Sequence, residues 1–427
     1  MERHVPVRSN RIRDLVFMAV SVVVFAAIFE IWEFATGQFI GTTATALVAA
    51  SLFPIAALPM YTRLALGLGP MLVQLVALGL LVQVVQARLP LFSVQAIVSG
   101  LVGGVLVGRP TGRGSVVTAG TVAGAASALV FLLVFAETMP TPALAAGSLG
   151  TLASGTVAGG LVLALSPVVE RMFGHVTPLT LIEALSYDHA LLRRLITEAP
   201  GTFLHSTNLA VLSDAAARSI GADALVARVG ALYHDVGKTL AADNFIENQR
   251  GDLREDRRTA EDIAHSLVQH VADGAALIRS YGLGDAIARF ALEHHGTSPM
   301  RSLTRRAERE GLSQSQALQY PGPRPRSRET GIVMIGDQLE ASARARLPQT
   351  REECVLLVRE TIRRIEADKQ LIYSSLTAAD LEAIEGAFAD VLHAIHHRRI
   401  GYPASDITPP GLHAPQPAAM GLPQTDA

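Results

Sequence analysis

The sequence predicts an all-α protein in two unlike parts, a polytopic transmembrane helical bundle followed by a cytoplasmic all-α domain. Three observations carry this. Charge is segregated: 17% of the 427 residues are charged, yet between Leu15 and Leu165 the charged side chains are only Glu30, Glu33, Arg63, Arg88, Arg109, Arg113 and Glu137. Long apolar runs fill that same stretch. From Val176 onward charges appear every few residues, apolar positions recur with the period of a helix, and no convincing alternation of period two marks a strand. The length allows two or three domains. Lipid solvates the first part and water the second.

Crossing about 30 Å of hydrocarbon takes roughly 17–25 residues of helix. Runs of that kind lie at 15–36, 42–60, 66–87, 90–108, 115–136 and 144–168, giving about six spans. They define a membrane domain at 15–170, preceded by a cytoplasmic N-terminus at 1–14. The breaks are Thr36-Gly37-Gln38, Tyr61-Thr62-Arg63, Ala87-Arg88, Arg109-Pro110-Thr111-Gly112-Arg113 and Glu137-Thr138-Met139-Pro140. Arg3, Arg8, Arg11 and Arg13 precede the first span, and with six spans the loops bearing Arg63 and Arg109/Arg113 share their side. The positive-inside rule therefore places that side, and the C-terminal domain, in the cytoplasm. The first run is expected to stay uncleaved, because Glu30 and Glu33 stand where a signal peptide has small residues. These two carboxylates are expected at headgroup depth. Gly100, Gly103, Gly104 and Gly108, with more glycine and alanine at 120–125 and 147–160, predict close helix packing.

A linker with a coupling helix is expected at 171–202, the helix running over 181–198 and stopped by Ala199-Pro200-Gly201. Helices follow at 203–220, 223–236, 259–281, 284–295, 329–346, 350–369 and 377–398 in a domain at 203–404. Gly237, Gly282, Gly284, Gly296 and Pro321-Gly322-Pro323 punctuate them. The proline-rich tail at 405–427 is expected to be disordered. Cys354 is the single cysteine, which excludes an internal disulfide, and its place in an apolar-periodic stretch predicts a core residue. A net charge of −2 argues against a nucleic-acid polymer as partner.

Along the helices histidine and aspartate recur in the order His205, His234-Asp235, His270, His294-His295, Asp337. Neutral imidazole and carboxylate together hold Mn, Fe or Zn. An aspartate inside the apolar stretch Ile332–Leu339 needs a compensating partner, and a metal ion is one. Groups on successive helices can converge inside a bundle. Singly each residue is ordinary, since a lone helical histidine is more often a core or surface residue; the ordered set on five helices is the signal. His265, five residues before His270, points elsewhere on its helix, the cluster His393, His396, His397, Arg398 and Arg399 and the arginine run at 301–309 read as solvated or headgroup-facing, and His4, His175, His413 and the reversed pair Asp188-His189 suggest nothing.

The ordered set resembles the HD superfamily of metal-dependent phosphohydrolases, named for its His-Asp pair. More narrowly, the stretches 199–206, 227–238 and 245–249 are similar to the PgpH-type membrane HD proteins, as are His294-His295-Gly296-Thr297, Tyr320-Pro321-Gly322-Pro323 and Met334-Ile335-Gly336-Asp337. The similarity covers about 176–403 by motif, and the membrane part from about 53 by pattern alone. That family degrades cyclic di-AMP to pApA. The resemblance implies an HD-type metallohydrolase fold and two divalent metal ions, Mn or Fe, which activate a bridging hydroxide. It puts His205, His234 and Asp337 on one ion, His270 and His294 on the other, and Asp235 between them. Catalytic roles fall on Asp235 and Lys238. Substrate contacts fall on Lys238, on Tyr320 against adenine, and on His295, which is alternatively a further ligand. The implied partners are a cyclic dinucleotide and membrane lipid, with a homodimer left open. Two departures stand out. The family usually carries a large extracytoplasmic domain and an additional span ahead of this region, which this sequence lacks, and residues 251–256 replace its Asn-Pro-His-Asp.

Three other readings compete. Cyclic di-GMP enzymes follow the His-His pair closely with Gly-Tyr-Pro, whereas Gly401-Tyr402-Pro403 comes about a hundred residues too late. An HD phosphohydrolase for another nucleotide, such as guanosine tetraphosphate or a dNTP, is the second. The third is a non-catalytic membrane sensor whose HD domain only binds nucleotide, against which stands the full set of six ligands.

Overall fold

The computed structural model describes residues 11–37, 43–85, 90–249, 259–309 and 318–396. Among these, apart from the single antiparallel bridge Pro299–Gln319, all regular structure is helical. Seven helices precede Gly174: α1 Arg11–Gly37, α2 Thr43–Ser51, α3 Ala57–Leu66, α4 Leu68–Val85, α5 Pro90–Val107, α6 Arg113–Phe135 and α7 Thr141–Phe173. Three stretches, Ile12–Thr36, Arg113–Phe135 and Thr141–Phe173, are long and apolar enough to cross a membrane, and α4 and α5 contribute shorter apolar helices. Val20, Val24, Val73, Val76, Leu129 and Leu133 point outward and are exposed, as a lipid-facing surface requires.

The expected span at 42–60 is not one helix. Pro54 lacks the N–H that would continue α2, the chain turns through 52–56, and the Phe53 carbonyl accepts from Ile55 N–H at 2.8 Å and from the Ser154 hydroxyl at 2.7 Å. The glycines act as predicted. A Cβ placed on Gly155 would lie 2.3 Å from the Gly120 carbonyl oxygen, and one on Gly120 equally close to that of Gly155. Helices α6 and α7 therefore touch backbone to backbone.

The N-terminus of α1, the end of α3, the start of α6 and the end of α7 gather at one end of the bundle. Arg13 Nη2 donates to the Gly174 carbonyl at 3.3 Å, and a Cβ on Gly108 would collide with the Arg63 guanidinium. His175, for which the sequence suggests nothing, is buried at this joint. Its Nε2 lies 3.3 Å from Asp14 Oδ1, its Nδ1 lies 3.4 Å from the Tyr61 hydroxyl, and its ring stacks on Phe173.

Beyond the joint come α8 Pro178–Ala184, α9 Ala190–Glu198, α10 Pro200–Ser219 and α11 Ala224–Tyr233, then 3-10 turns at 236–244 and 246–248. They are followed by α12 Ala260–Ser280, α13 Gly284–Glu293, α14 Arg301–Arg309, α15 Arg328–Arg346, α16 Arg351–Ala367 and α17 Ala378–His396. The coupling helix expected over 181–198 is two helices, because the chain turns at 185–189 before α9. Pro200 does not merely stop a helix; it opens α10, where its fixed φ suits the first turn. His205 consequently sits in the second turn of α10 and not at its start.

Two apolar clusters hold these helices together. One joins Leu191, Leu192 and Leu195 of α9 to Val229, Tyr233 and Phe290, and the other joins Leu212 and Ala216 of α10 to Ile335, Leu339 and Phe388. Each fully buried Leu, Ile, Val or Phe among them stabilises the fold by about 1.5–3 kcal/mol. Cys354 is buried in the second cluster, as the sequence predicts. His265 is exposed. The 405–427 tail, residues 251–256, His4, His413, His397, Arg398, Arg399 and Gly401-Tyr402-Pro403 lie outside the described residues.

Candidate metal centre

Five helices deliver the predicted residues to one place. α10 carries His205. The end of α11 presents His234 at its C-cap, with Asp235 next in the chain, α12 carries His270, the C-cap of α13 is His294, and α15 carries Asp337. Their ligand atoms form two adjoining groups, Asp235 with His270, His294 and His295, and His205 with His234 and Asp337, each within 4.8 Å. Asp235 faces both. Its Oδ2 lies 3.1 Å from His234 Nε2, and its Oδ1 lies 3.2 Å from His270 Nε2 and 3.4 Å from His294 Nε2. Asp337 Oδ1 is 3.1 Å from His205 Nε2 and 3.8 Å from His234 Nε2, while its Oδ2 is 3.7 Å from His295 Nδ1.

Ring orientation is set from behind. His234 Nδ1 donates to the Ala231 carbonyl at 2.7 Å, and His294 Nδ1 to that of Ala291 at 2.9 Å. His270 Nδ1 donates to Leu267, and His205 Nδ1 to Glu340 Oε2 at 2.6 Å. With the proton held on Nδ1, each ring turns its Nε2 lone pair inward, the arrangement that ligating histidines require.

This donor set fits divalent cations. His270 Nε2 and His294 Nε2 stand 3.4 Å apart with both Nδ1 atoms already donating, so two lone pairs face each other. His234 Nε2 and Asp235 Oδ1 are buried and make no hydrogen bond of good geometry. Such atoms are costly unless something electropositive lies between them. Imidazole and carboxylate suit Mn, Fe or Zn.

The electrostatics agree. Burial disfavours a charged Asp235, but the His234 ring and the Lys238 ammonium outweigh it and hold the carboxyl well below the usual range. Burial likewise opposes charge on His234, yet Asp235 and Asp337 push its pKa up to about 10, so without a cation the inward Nε2 takes a proton that a bound cation would displace. Asp337 is also held low, burial being overcome by His205 and His234. In contrast, burial keeps His294 below its ordinary value and His295 well below it, so both rings are neutral at physiological pH.

Two comparisons with known families match this chain. A model described as "HD domain" matches residues 202–342, and one described as "7TM receptor with intracellular HD hydrolase" matches residues 1–177. The chain belongs to the membrane-anchored HD-domain hydrolases. Among its relatives, "Cyclic-di-AMP phosphodiesterase PgpH" of Bacillus subtilis (strain 168) is 33% identical over 314 residues, 72% of this chain and 44% of that protein. The protein of the same name in Listeria monocytogenes serotype 1/2a (strain 10403S) is 34% identical over 239 residues, 56% of this chain and 33% of that one. The chain thus spans less than half the length of these relatives. The crystal structure of the L. monocytogenes phosphodiesterase PgpH HD domain in complex with cyclic-di-AMP is 32% identical, with a TM-score of 0.47, covering 50% of this chain and 100% of that chain.

Within this HD domain the structure also locates the three groups the sequence offers as substrate contacts. Lys238 Nζ is clamped between Asp235 Oδ2 and Glu247 Oε1, each at 2.7 Å, and its ammonium lies 4.8 Å above the Phe245 ring. Burial opposes that charge, but the two carboxylates raise its pKa well above the ordinary lysine value. Tyr320 lies against His295, ring centroids 4.0 Å apart and planes 30° apart, so His295 occupies one face of the tyrosine. His295 belongs to the same cluster as His270 and His294.

Sequence reasoning missed two carboxylates. Glu247 holds Lys238 and accepts from the Thr202 hydroxyl at 3.3 Å, while Asn248 bonds both the amide and the hydroxyl of Thr202. The family-like stretches 199–206 and 245–249 are therefore one packed unit. Glu340 backs His205, and its signal was present in the sequence: it follows Asp337 by three residues, on the same helical face.

Proposed function

We propose that this chain is a membrane-bound phosphodiesterase that hydrolyses cyclic di-AMP to pApA, with its HD domain on the cytoplasmic face of the bacterial inner membrane. The inward-facing Nε2 atoms of His205, His234, His270 and His294 around Asp235 and Asp337 carry the reading, because only a cation-binding role explains buried lone pairs facing one another. Two divalent cations, Mn or Fe by the donor set, would supply Lewis-acid stabilisation of phosphoryl charge and an activated water there. His205, His234 and Asp337 would hold one, His270, His294 and His295 the other, and Asp235 both. The cyclic di-AMP preference rests on the names of the relatives and on the chain's similarity to them.

The remaining residues bind and orient. Lys238 already donates to a carboxylate that would ligate both cations, so its ammonium stands beside the place a phosphate oxygen takes, and Glu247 keeps it there. The Tyr320 face turned away from His295 offers an aromatic platform for a purine.

The test uses the full chain in nanodiscs, stripped and reloaded with Mn or Fe. Cyclic di-AMP should be converted to pApA, cyclic di-GMP much more slowly, and Asp235→Asn should abolish both metal content and turnover. Equal turnover of the two dinucleotides overturns the substrate assignment. Tight binding of cyclic di-AMP by the loaded chain without hydrolysis would instead identify a sensor.

A further inference from the structure

We infer that Glu340 is the positioning residue of this centre, holding His205 for the cation on the Asp337 side and making that half the tighter of two unequal cation sites. The inference rests on the two-cation reading above and assigns the two halves different strengths.

The observation is an asymmetry among the four imidazoles. His234, His270 and His294 each donate Nδ1 to a carbonyl three residues earlier in their own helix, at Ala231, Leu267 and Ala291. Helix geometry alone supplies those acceptors. His205 donates instead to a carboxylate from a different helix, and that carboxylate lies one turn beyond the facing ligand. Asp337 and Glu340, both on α15, grip opposite nitrogens of the same ring, at 3.1 Å from Nε2 and 2.6 Å from Nδ1. Glu340 is buried, and it is itself fixed: Arg344 Nη2 donates to its Oε2 at 2.6 Å, and Asn208 Nδ2 approaches its Oε1 at 3.5 Å. His205 and Asn208 lie on one face of α10, so this carboxylate pins α10 to α15 at the ligand.

Two consequences follow from charge. An anionic acceptor makes His205 a more basic ligand than a neutral carbonyl makes the other three. The half containing His205 also holds the carboxylate of Asp337 outright and shares that of Asp235. The other half has three imidazoles, His270, His294 and His295, and no carboxylate of its own beyond the shared Asp235, whose Oδ1 faces it. Hard divalent cations follow carboxylate charge, so the Asp337 half fills first.

Titrating the stripped full chain in nanodiscs with Mn²⁺, read by the EPR signal of free ion, should give two steps about tenfold or more apart. Glu340→Ala should weaken the first step by roughly 10–100-fold and leave the second unchanged. Glu340→Gln keeps an oxygen for the Nδ1 proton without the charge, and should recover part of the loss. His295→Ala should weaken only the second step. Two equal steps in the parent chain overturn the inference while leaving the two-cation reading intact. So does a Glu340→Ala chain whose steps weaken together with its thermal midpoint, or a Glu340→Gln chain as impaired as Glu340→Ala at unchanged midpoint. A parent chain that takes up no Mn²⁺ overturns the two-cation reading and the inference with it.

Discussion

Replacing Gly237 by alanine tests how the centre is held together without touching a ligand. Gly237 follows Asp235 by two residues and packs against the helix that carries His270. A Cβ at this position would lie 2.0 Å from the His270 carbonyl oxygen and 2.6 Å from the Gly274 amide nitrogen. A carbon needs about 3.3 Å from a carbonyl oxygen, so the two segments must part by roughly 1.3 Å. Both sides of the gap are backbone, so no side-chain rotation relieves it. The displaced carbonyl belongs to His270 itself, whose Nε2 sits 3.2 Å from Asp235. Ligand constellations tolerate about 0.5 Å of misplacement, and an error of 1 Å can lower a rate about a hundredfold. Gly237→Ala should therefore lose at least about a hundredfold in turnover and fall in metal content. Overpacking of this kind should also cost about 1–3 kcal/mol of stability. Metal analysis, turnover and thermal unfolding of the same preparation measure all three. A variant with full metal content and near-parental turnover would show that the 3-10 turn at 236–244 does not set the His270–Asp235 distance.

Two further perturbations address the substrate contact and the joint. Lys238→Met should keep its metal, since the ammonium competes with cations for Asp235 Oδ2, and should lower turnover by about 10²–10³-fold as a phosphate donor is lost; loss of metal instead would make Lys238 a structural residue. At the joint, burial pushes the His175 pKa below its ordinary value of 6.5 despite Asp14 beside it, so the folded chain favours the neutral ring. Its contribution is present above pH 6.5 and is lost as pH falls through the lower folded value. Thermal midpoints between pH 7.5 and 5.5 should thus drop less in His175→Gln than in the parent, the site histidines being common to both; parallel curves would rule His175 out as the source.

How much of this was legible follows from which interactions are local. Helix periodicity located α10 to α13, α16 and α17, which bury one side against their neighbours, while α15, buried all round from Thr330 to Asp337, showed as an apolar run. The ligand order was legible for a similar reason: His234 and His294 each close a helix, where the chain turns and a ring can leave the bundle wall. Hydropathy could not see the break at Pro54, since residues on both sides are equally apolar and one partner of the turn, the Ser154 hydroxyl on the Phe53 carbonyl, comes from about a hundred residues away. The split of 181–198 was hidden likewise. Its second half is amphipathic as expected, and the turn at 185–189 shows only once the Tyr233 hydroxyl is seen donating to the Ala184 carbonyl at 2.7 Å. His175 read as bland because its partners, Asp14 and Tyr61, come from two other helices.

The six candidate ligands come together from five helices because small residues beside them let those helices approach closely. A Cβ on Gly201, four residues before His205, would lie 1.9 Å from the Glu247 carbonyl oxygen. One on Gly230, four before His234, would meet the Phe290 ring at 2.4 Å, and one on Gly336, next to Asp337, would meet Leu209 at 2.6 Å. Gly237 and Gly274 serve Asp235 and His270 in the same way. Glycine in a helix interior costs roughly 0.5–1 kcal/mol relative to alanine, and Gly230, Gly274 and Gly336 lie within α11, α12 and α15. These helices therefore give up local stability at the positions where they approach one another. Imidazole and carboxylate are short side chains, and they converge on one point only if the helices bearing them lie closer than side chains of ordinary size permit. The cost in propensity is recovered in the Leu, Ile and Phe clusters on either side. The spacing of the ligands is thus a property of the packed backbone, which is why the centre can be perturbed as strongly at Gly237 as at a ligand itself.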